Sequence, residues 1–75
     1  MVRLPTISGP EAVRAFDRSG WRVVRQTGSH IIMTKPGVTT VLSVPNHREL
    51  KRGTLRGLIR KVGLDVSTFA ELVRD

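Results

Sequence analysis

His30 and His47 are the two histidines of this chain, and imidazole is the side chain that exchanges protons near neutrality, with an unperturbed pKa of about 6.5. His30 closes the triplet Gly28-Ser29-His30 at the mouth of the apolar run Ile31-Ile32-Met33. A ring in that setting can take the proton of a ribose 2′-hydroxyl, which then attacks the adjacent phosphate, and such general-base help is typically worth about 10²- to 10⁴-fold. Gly28 allows a backbone or a phosphate to come close, and the Ser29 hydroxyl can donate or accept beside the ring. The same three residues also fit a plain hairpin, with Gly28 turning the chain and His30 a half-exposed strand residue. His47, in Val44-Pro45-Asn46-His47-Arg48-Glu49-Leu50, suits a general acid, a phosphate contact or an ordinary loop position. Two separate histidines without cysteine or clustered carboxylates make a poor ligand set, so neither metal nor cofactor is expected. No carboxylate pair has glycosidase or protease spacing, and no Gly-rich nucleotide-binding loop is present.

Charge points to the partner. Thirteen Lys and Arg stand against six Asp and Glu, a formal net charge of +7 on 75 residues. That imbalance attracts a polyanion or an acidic protein, with nucleic acid the first candidate. It is concentrated between Asn46 and Gly63, where Arg48, Lys51, Arg52, Arg56, Arg60 and Lys61 face Glu49 alone. On a helical wheel, Leu55, Leu58, Ile59 and Val62 form one apolar face and leave Arg56, Arg60 and Lys61 on the solvent side. A solvated helix face has that look too, but here no acids stand at i,i+4 to compensate. The candidate RNA contacts are therefore Arg22, Arg25, Lys35, His47, Lys51, Arg52, Arg56, Arg60 and Lys61. Arg22, Arg25 and Lys35 are expected beside His30 in space as well as in sequence, where they would stabilise a pentacoordinate phosphate. Phe16, Trp21 and Phe69 all fall at core positions, which argues against a base-stacking platform and for weak sequence preference.

The elements that must position these groups follow from caps and periodicity. Ser8-Gly9-Pro10-Glu11 forms a capping box, Ala12, Val13 and Phe16 recur at helical spacing, and Gly20 stops a first helix spanning Gly9 to Ser19. Trp21 to Arg25, Ser29 to Lys35 and Thr39 to Val44 read as three short antiparallel strands, broken at Thr27-Gly28, Pro36-Gly37 and Pro45-Asn46. Within the second, Ile31 and Met33 are expected to face inward and His30 outward. A second helix begins near Gly53-Thr54 and stops at Gly63, and Ser67 caps a last helix carrying Phe69, Leu72 and Val73. The fold class is α+β: a small three-stranded antiparallel sheet with helices on one face, in a double-stranded-RNA-binding-domain (dsRBD-like) order α-β-β-β-α(-α). At this length residues 1–75 make one domain. No stretch approaches the roughly 20 apolar residues of a membrane span, and no secretory signal is evident, so a cytoplasmic protein is expected, monomeric when alone.

Leu4-Pro5, Ser19-Gly20-Trp21, Arg25-Gln26-Thr27-Gly28-Ser29-His30, Met33-Thr34-Lys35-Pro36-Gly37, the 44–50 segment and Lys51-Arg52-Gly53-Thr54-Leu55-Arg56 together resemble the HicA (YcfA-like) toxin family, over Leu4 to Val73. The resemblance implies the dsRBD-like fold and a ribosome-independent mRNA interferase of a type II toxin-antitoxin system, an endoribonuclease neutralised by a HicB-type antitoxin that masks the active site. It places the family's active histidine at His30, flanked by Gly28 and Ser29, and His47 at a recurrent histidine of unassigned role. Gly57 and Trp21 depart from the family pattern, where Ser or another helix former and Phe are usual. The competing reading is a non-catalytic basic RNA-binding module of the same fold.

Overall fold

The computed structural model describes residues 3–74. Its first helix, α1 (Gly9–Arg18), opens on the reciprocal cap its sequence encodes. The Glu11 N–H donates to the Ser8 hydroxyl at 3.1 Å, and the Ser8 N–H donates to the Glu11 carboxylate at 3.0 Å. Two of the helix's orphan donors are thereby satisfied. Ala12, Ala15 and Phe16 form its buried face. Ser19 caps the end, and Gly20, at φ 102°, turns the chain toward the sheet.

The strands β1 (Arg22–Gln26), β2 (His30–Lys35) and β3 (Val38–Pro45) follow in sequence order as one antiparallel sheet, β1-β2-β3. Trp21 stands just ahead of β1 and is buried, so it serves the core and not the strand. Met33 pairs with Leu42 and Ile31 with Val44, and all four are buried under the helices, which turns the alternate residues His30, Ile32 and Thr34 to the other face. The expected inward and outward sets of β2 are the observed ones.

The helix layer is completed by α2 (Arg52–Val62) and α3 (Val66–Arg74). Leu55, Leu58 and Ile59 bury one face of α2, and Gly63 ends it in the left-handed region at φ 77°. Phe69 of α3 meets Phe16 of α1 with ring centroids 5.2 Å apart and planes tilted by 43°, an arrangement worth about 0.5–1.5 kcal/mol beyond the area it buries. Arg18 fastens the same pair of helices by donating to the Leu72 carbonyl at 2.7 Å. The cap of α3 differs from expectation: the Thr68 N–H donates to the Asp65 carboxylate at 2.7 Å, while Ser67 lies exposed inside the helix. A carboxylate is the stronger acceptor at a helix N-terminus, and Asp65 stands immediately before the first helical residue, so it takes the role assigned to Ser67.

Candidate active site

The turn that carries His30 is built by a threonine. Thr27 N–H donates to the His30 carbonyl at 2.8 Å, and in return the His30 N–H donates to Thr27 Oγ1 at 3.0 Å. The side chain takes the place the Thr27 carbonyl would have in an ordinary two-residue hairpin, leaving Gly28 and Ser29 at the tip. His30 then enters β2 with an exposed ring, and its Nδ1 lies 3.0 Å from Ser29 Oγ. Gly28 is not needed for backbone conformation, since its φ is outside the left-handed region, nor for packing, since a Cβ there would meet nothing within 4 Å. What its missing side chain leaves is bare ground beside His30.

Three other segments converge on this turn. The Asn46 N–H donates to the Ser29 carbonyl at 2.9 Å, extending the β2–β3 ladder beyond the His30–Pro45 pair. The Gly9 N–H donates to the His47 carbonyl at 2.9 Å, and the Leu50 N–H to the Ile7 carbonyl at 2.8 Å. Gly9 is buried so tightly against Pro45 that an added Cβ would overlap the Pro45 carbonyl. The α1 N-terminus, the β1–β2 turn, the exit of β3 and the start of α2 thus share one pole of the molecule. His30, Ser29, Gly28, His47, Arg48, Lys51 and Arg52 are gathered there, all exposed.

The strand cations divide. Between Val23 and Arg25 the β1–β2 register slips, leaving Val24 unpaired, so that Arg22 pairs with Thr34 and Arg25 with Ile32. That one-residue bulge turns Arg25 onto the same sheet face as Ile32 and His30, where an unbroken strand would have sent it to the helix side. Arg25 stands two positions along β2 from His30, about 7 Å at the usual rise. Arg22 is four positions away, about 13 Å, and is already engaged: its Nη1 donates to the Asp17 carboxylate at 3.0 Å, the Trp21 carbonyl at 3.0 Å and the Asp17 carbonyl at 3.3 Å. Lys35 ends β2 about 17 Å from His30, with its side chain against Gly20. Neither Arg22 nor Lys35 is brought to His30, because neighbours along a strand are separated by its length. Arg56, Arg60 and Lys61 are exposed but run along α2 away from the pole.

Asn46 and Arg48 also stand at this pole, although neither is among the residues selected from the sequence as candidate contacts. Their placement depends on backbone hydrogen bonds, and the charge of Arg48 within the basic segment was the one available signal. Among the described residues no group of three or more His, Cys, Asp or Glu side chains stands together, and no helix is long and apolar enough to cross a membrane.

A comparison with protein families matches residues 9–64 to the HicA toxin of bacterial toxin-antitoxin systems. The chain belongs to the HicA toxin family. The match takes in α1, the whole sheet and α2, and therefore every segment of the polar cluster. It makes the protein a toxin of a toxin-antitoxin pair, which implies an antitoxin partner. A comparison with curated proteins returns no match.

Proposed function

We propose that this toxin is an mRNA interferase that cuts RNA independently of the ribosome and without a metal, with His30 as general base on the ribose 2′-hydroxyl. The observation that carries the reading is an exposed imidazole held by Ser29 at a pole lined with cations and free of any covering side chain at Gly28. In the tautomer in which Nδ1–H donates to Ser29 Oγ, Nε2 carries the free lone pair that a base requires. The 2′-oxygen attacks the phosphorus, the P–O5′ bond breaks, and the products are a 2′,3′-cyclic phosphate and a 5′-hydroxyl end. Arg25, Lys51 and Arg52 supply positive charge for the phosphorane and for the strand on either side of it. Arg56, Arg60 and Lys61 extend the grip along α2. The partner is a HicB-type antitoxin that covers this pole, and the compartment is the cytoplasm.

The test is His30→Ala, which removes an exposed side chain whose loss leaves the core intact. Cleavage of a long single-stranded RNA is expected to fall by at least about 10²-fold while salt-dependent RNA retention persists. Cleavage at the parent rate by the folded variant would leave only a basic RNA-binding module. A 2′-deoxy substitution at the scissile nucleotide is expected to block the parent enzyme. The complex with the antitoxin should be silent.

A further inference from the structure

We infer that His47 is the general acid of the same cleavage, protonating the 5′-oxygen as it departs. This rests on the reading of His30 as the base. Breaking a P–O5′ bond expels an alkoxide, a poor leaving group in water, so a base alone leaves half of the proton traffic unserved.

The β2–β3 register places a second proton carrier where one is needed. His30 pairs with Pro45, and the Asn46 N–H reaches the Ser29 carbonyl at 2.9 Å. His47 follows Asn46 directly, so its backbone stands one residue beyond that tie to the turn that carries His30. The two imidazoles therefore stand at the same end of the β2–β3 pair, where one phosphodiester can be approached by both. Gly28 lies in the same turn, at a position where a side chain would meet nothing within 4 Å and whose backbone has no need of glycine. That open ground is where the phosphate would lie in this reading.

His47 is also positioned and free. Its carbonyl is pinned by the Gly9 N–H at 2.9 Å, while its ring is exposed and makes no hydrogen bond among the described residues. Asn46, Arg48 and Glu49 flank it in the chain, the α1 N-terminus with Glu11 is the element docked on its backbone, and the turn Gly28-Ser29-His30 is bonded to the residue before it. Of these groups only His30 and His47 are imidazoles, the side-chain type that serves as both general base and general acid.

The step balances. His30 removes the proton of the 2′-hydroxyl as the 2′-oxygen bonds to phosphorus, and protonated His47 delivers its proton to O5′ as the P–O5′ bond opens. Both rings return to their starting forms by exchange with water.

The experiment compares two otherwise identical oligoribonucleotides, one with the natural linkage and one with a bridging 5′-phosphorothiolate, whose thiolate leaves without a proton. His47→Ala and His47→Gln are expected to cut the natural linkage about 10²-fold or more slowly and to cut the phosphorothiolate within about tenfold of the parent. RNA affinity should change little, and the alkaline limb of the pH–rate profile should vanish. His30→Ala should be slow on both substrates. Equal losses on the two linkages for both His47 variants, or no loss at all, would overturn the assignment while leaving His30 as base. Rapid cleavage by His30→Ala would instead overturn the parent reading.

Discussion

The pole around His30 and the outer face of α2 are both basic and both exposed, yet they are built in opposite ways. At the pole, three backbone hydrogen bonds from Asn46, Gly9 and Leu50 tie four chain segments together, so the backbone beneath the polar groups is fixed. On α2, Arg56, Arg60 and Lys61 project from a helix that lacks a side-chain N-cap and any acid in its first turn, and that carries Gly53 and Gly57 in open space. Glycine inside a helix costs about 0.5–1 kcal/mol relative to alanine, and like charges at i,i+4 a few tenths more. The pole has the rigidity that chemistry requires, whereas α2 offers charge that a mobile polyanion can use without precise placement.

Two glycines test the first half of that contrast, with the largest effects expected. Gly9→Ala drives a methyl group into the Pro45 carbonyl, so it should cost about 1–3 kcal/mol and pull the α1 N-terminus off the His47 backbone. Gly28→Ala adds a methyl group in empty space at an ordinary φ, and stability should stay within about 0.5 kcal/mol. Cleavage should nevertheless drop severalfold, because the methyl group occupies the ground proposed for the phosphate. Chemical denaturation beside a cleavage assay separates the two. Loss of stability in Gly28→Ala, or none in Gly9→Ala, would erase the distinction.

Salt dependence probes the second half. Each phosphate contact on a single strand contributes about 0.7 to the slope of log K against log salt concentration. Replacing Lys51 and Arg52 should lower that slope and also slow the turnover of saturating RNA. Replacing Arg56, Arg60 and Lys61 should lower the slope by up to about 2 with turnover at saturation preserved. Arg25→Ala should slow cleavage more than Arg22→Ala, since the bulge brings Arg25 to the face of His30 and Asp17 holds Arg22 away from it. Equal kinetic losses from the pole set and the α2 set would make the whole basic surface a single binding site.

Much of this arrangement was written locally in the chain. The capping box at Ser8 and Glu11, the period-two alternation of Ile31 and Met33, and the Gly63 stop each depend on residues within one turn or strand, and each appears as read. The grouping of cations was not legible for the same reason. A bulge at Val24 is one extra residue in a run of strand formers, so Arg25 carries no mark of the face it takes. Arg22 and Lys35 are near His30 in sequence, but a strand converts each intervening residue into about 3.4 Å. Asn46 and Arg48 are held at the pole by the backbone bonds of Asn46, His47 and Leu50, which do not depend on side-chain type. Asp65 and Ser67 stand two residues apart and both are capping types, so which of them caps depends on the helix boundary itself.

The smallest expected effect concerns the two capping carboxylates, which hold one end of each of two helices. Glu11 is kept below the usual carboxylate range chiefly by the hydrogen bond from the Ser8 backbone, and Asp65 by the one from the Thr68 backbone. Because both folded-state values are depressed, their contribution to stability is complete above the ordinary carboxylate range and is lost as pH falls through the lowered values. Glu11→Gln and Asp65→Asn keep an acceptor at each cap but remove the titration, so at neutral pH the double variant should melt only slightly below the parent. In acid its melting temperature should fall less steeply than the parent's, and the two curves should converge below the range in which the parent caps protonate. Melting curves recorded from neutral pH down to about pH 2 decide the matter. Parallel curves would mean that the caps do not contribute through charge, and the ordered pole would then depend on the backbone ties at Gly9, Asn46 and Leu50 alone.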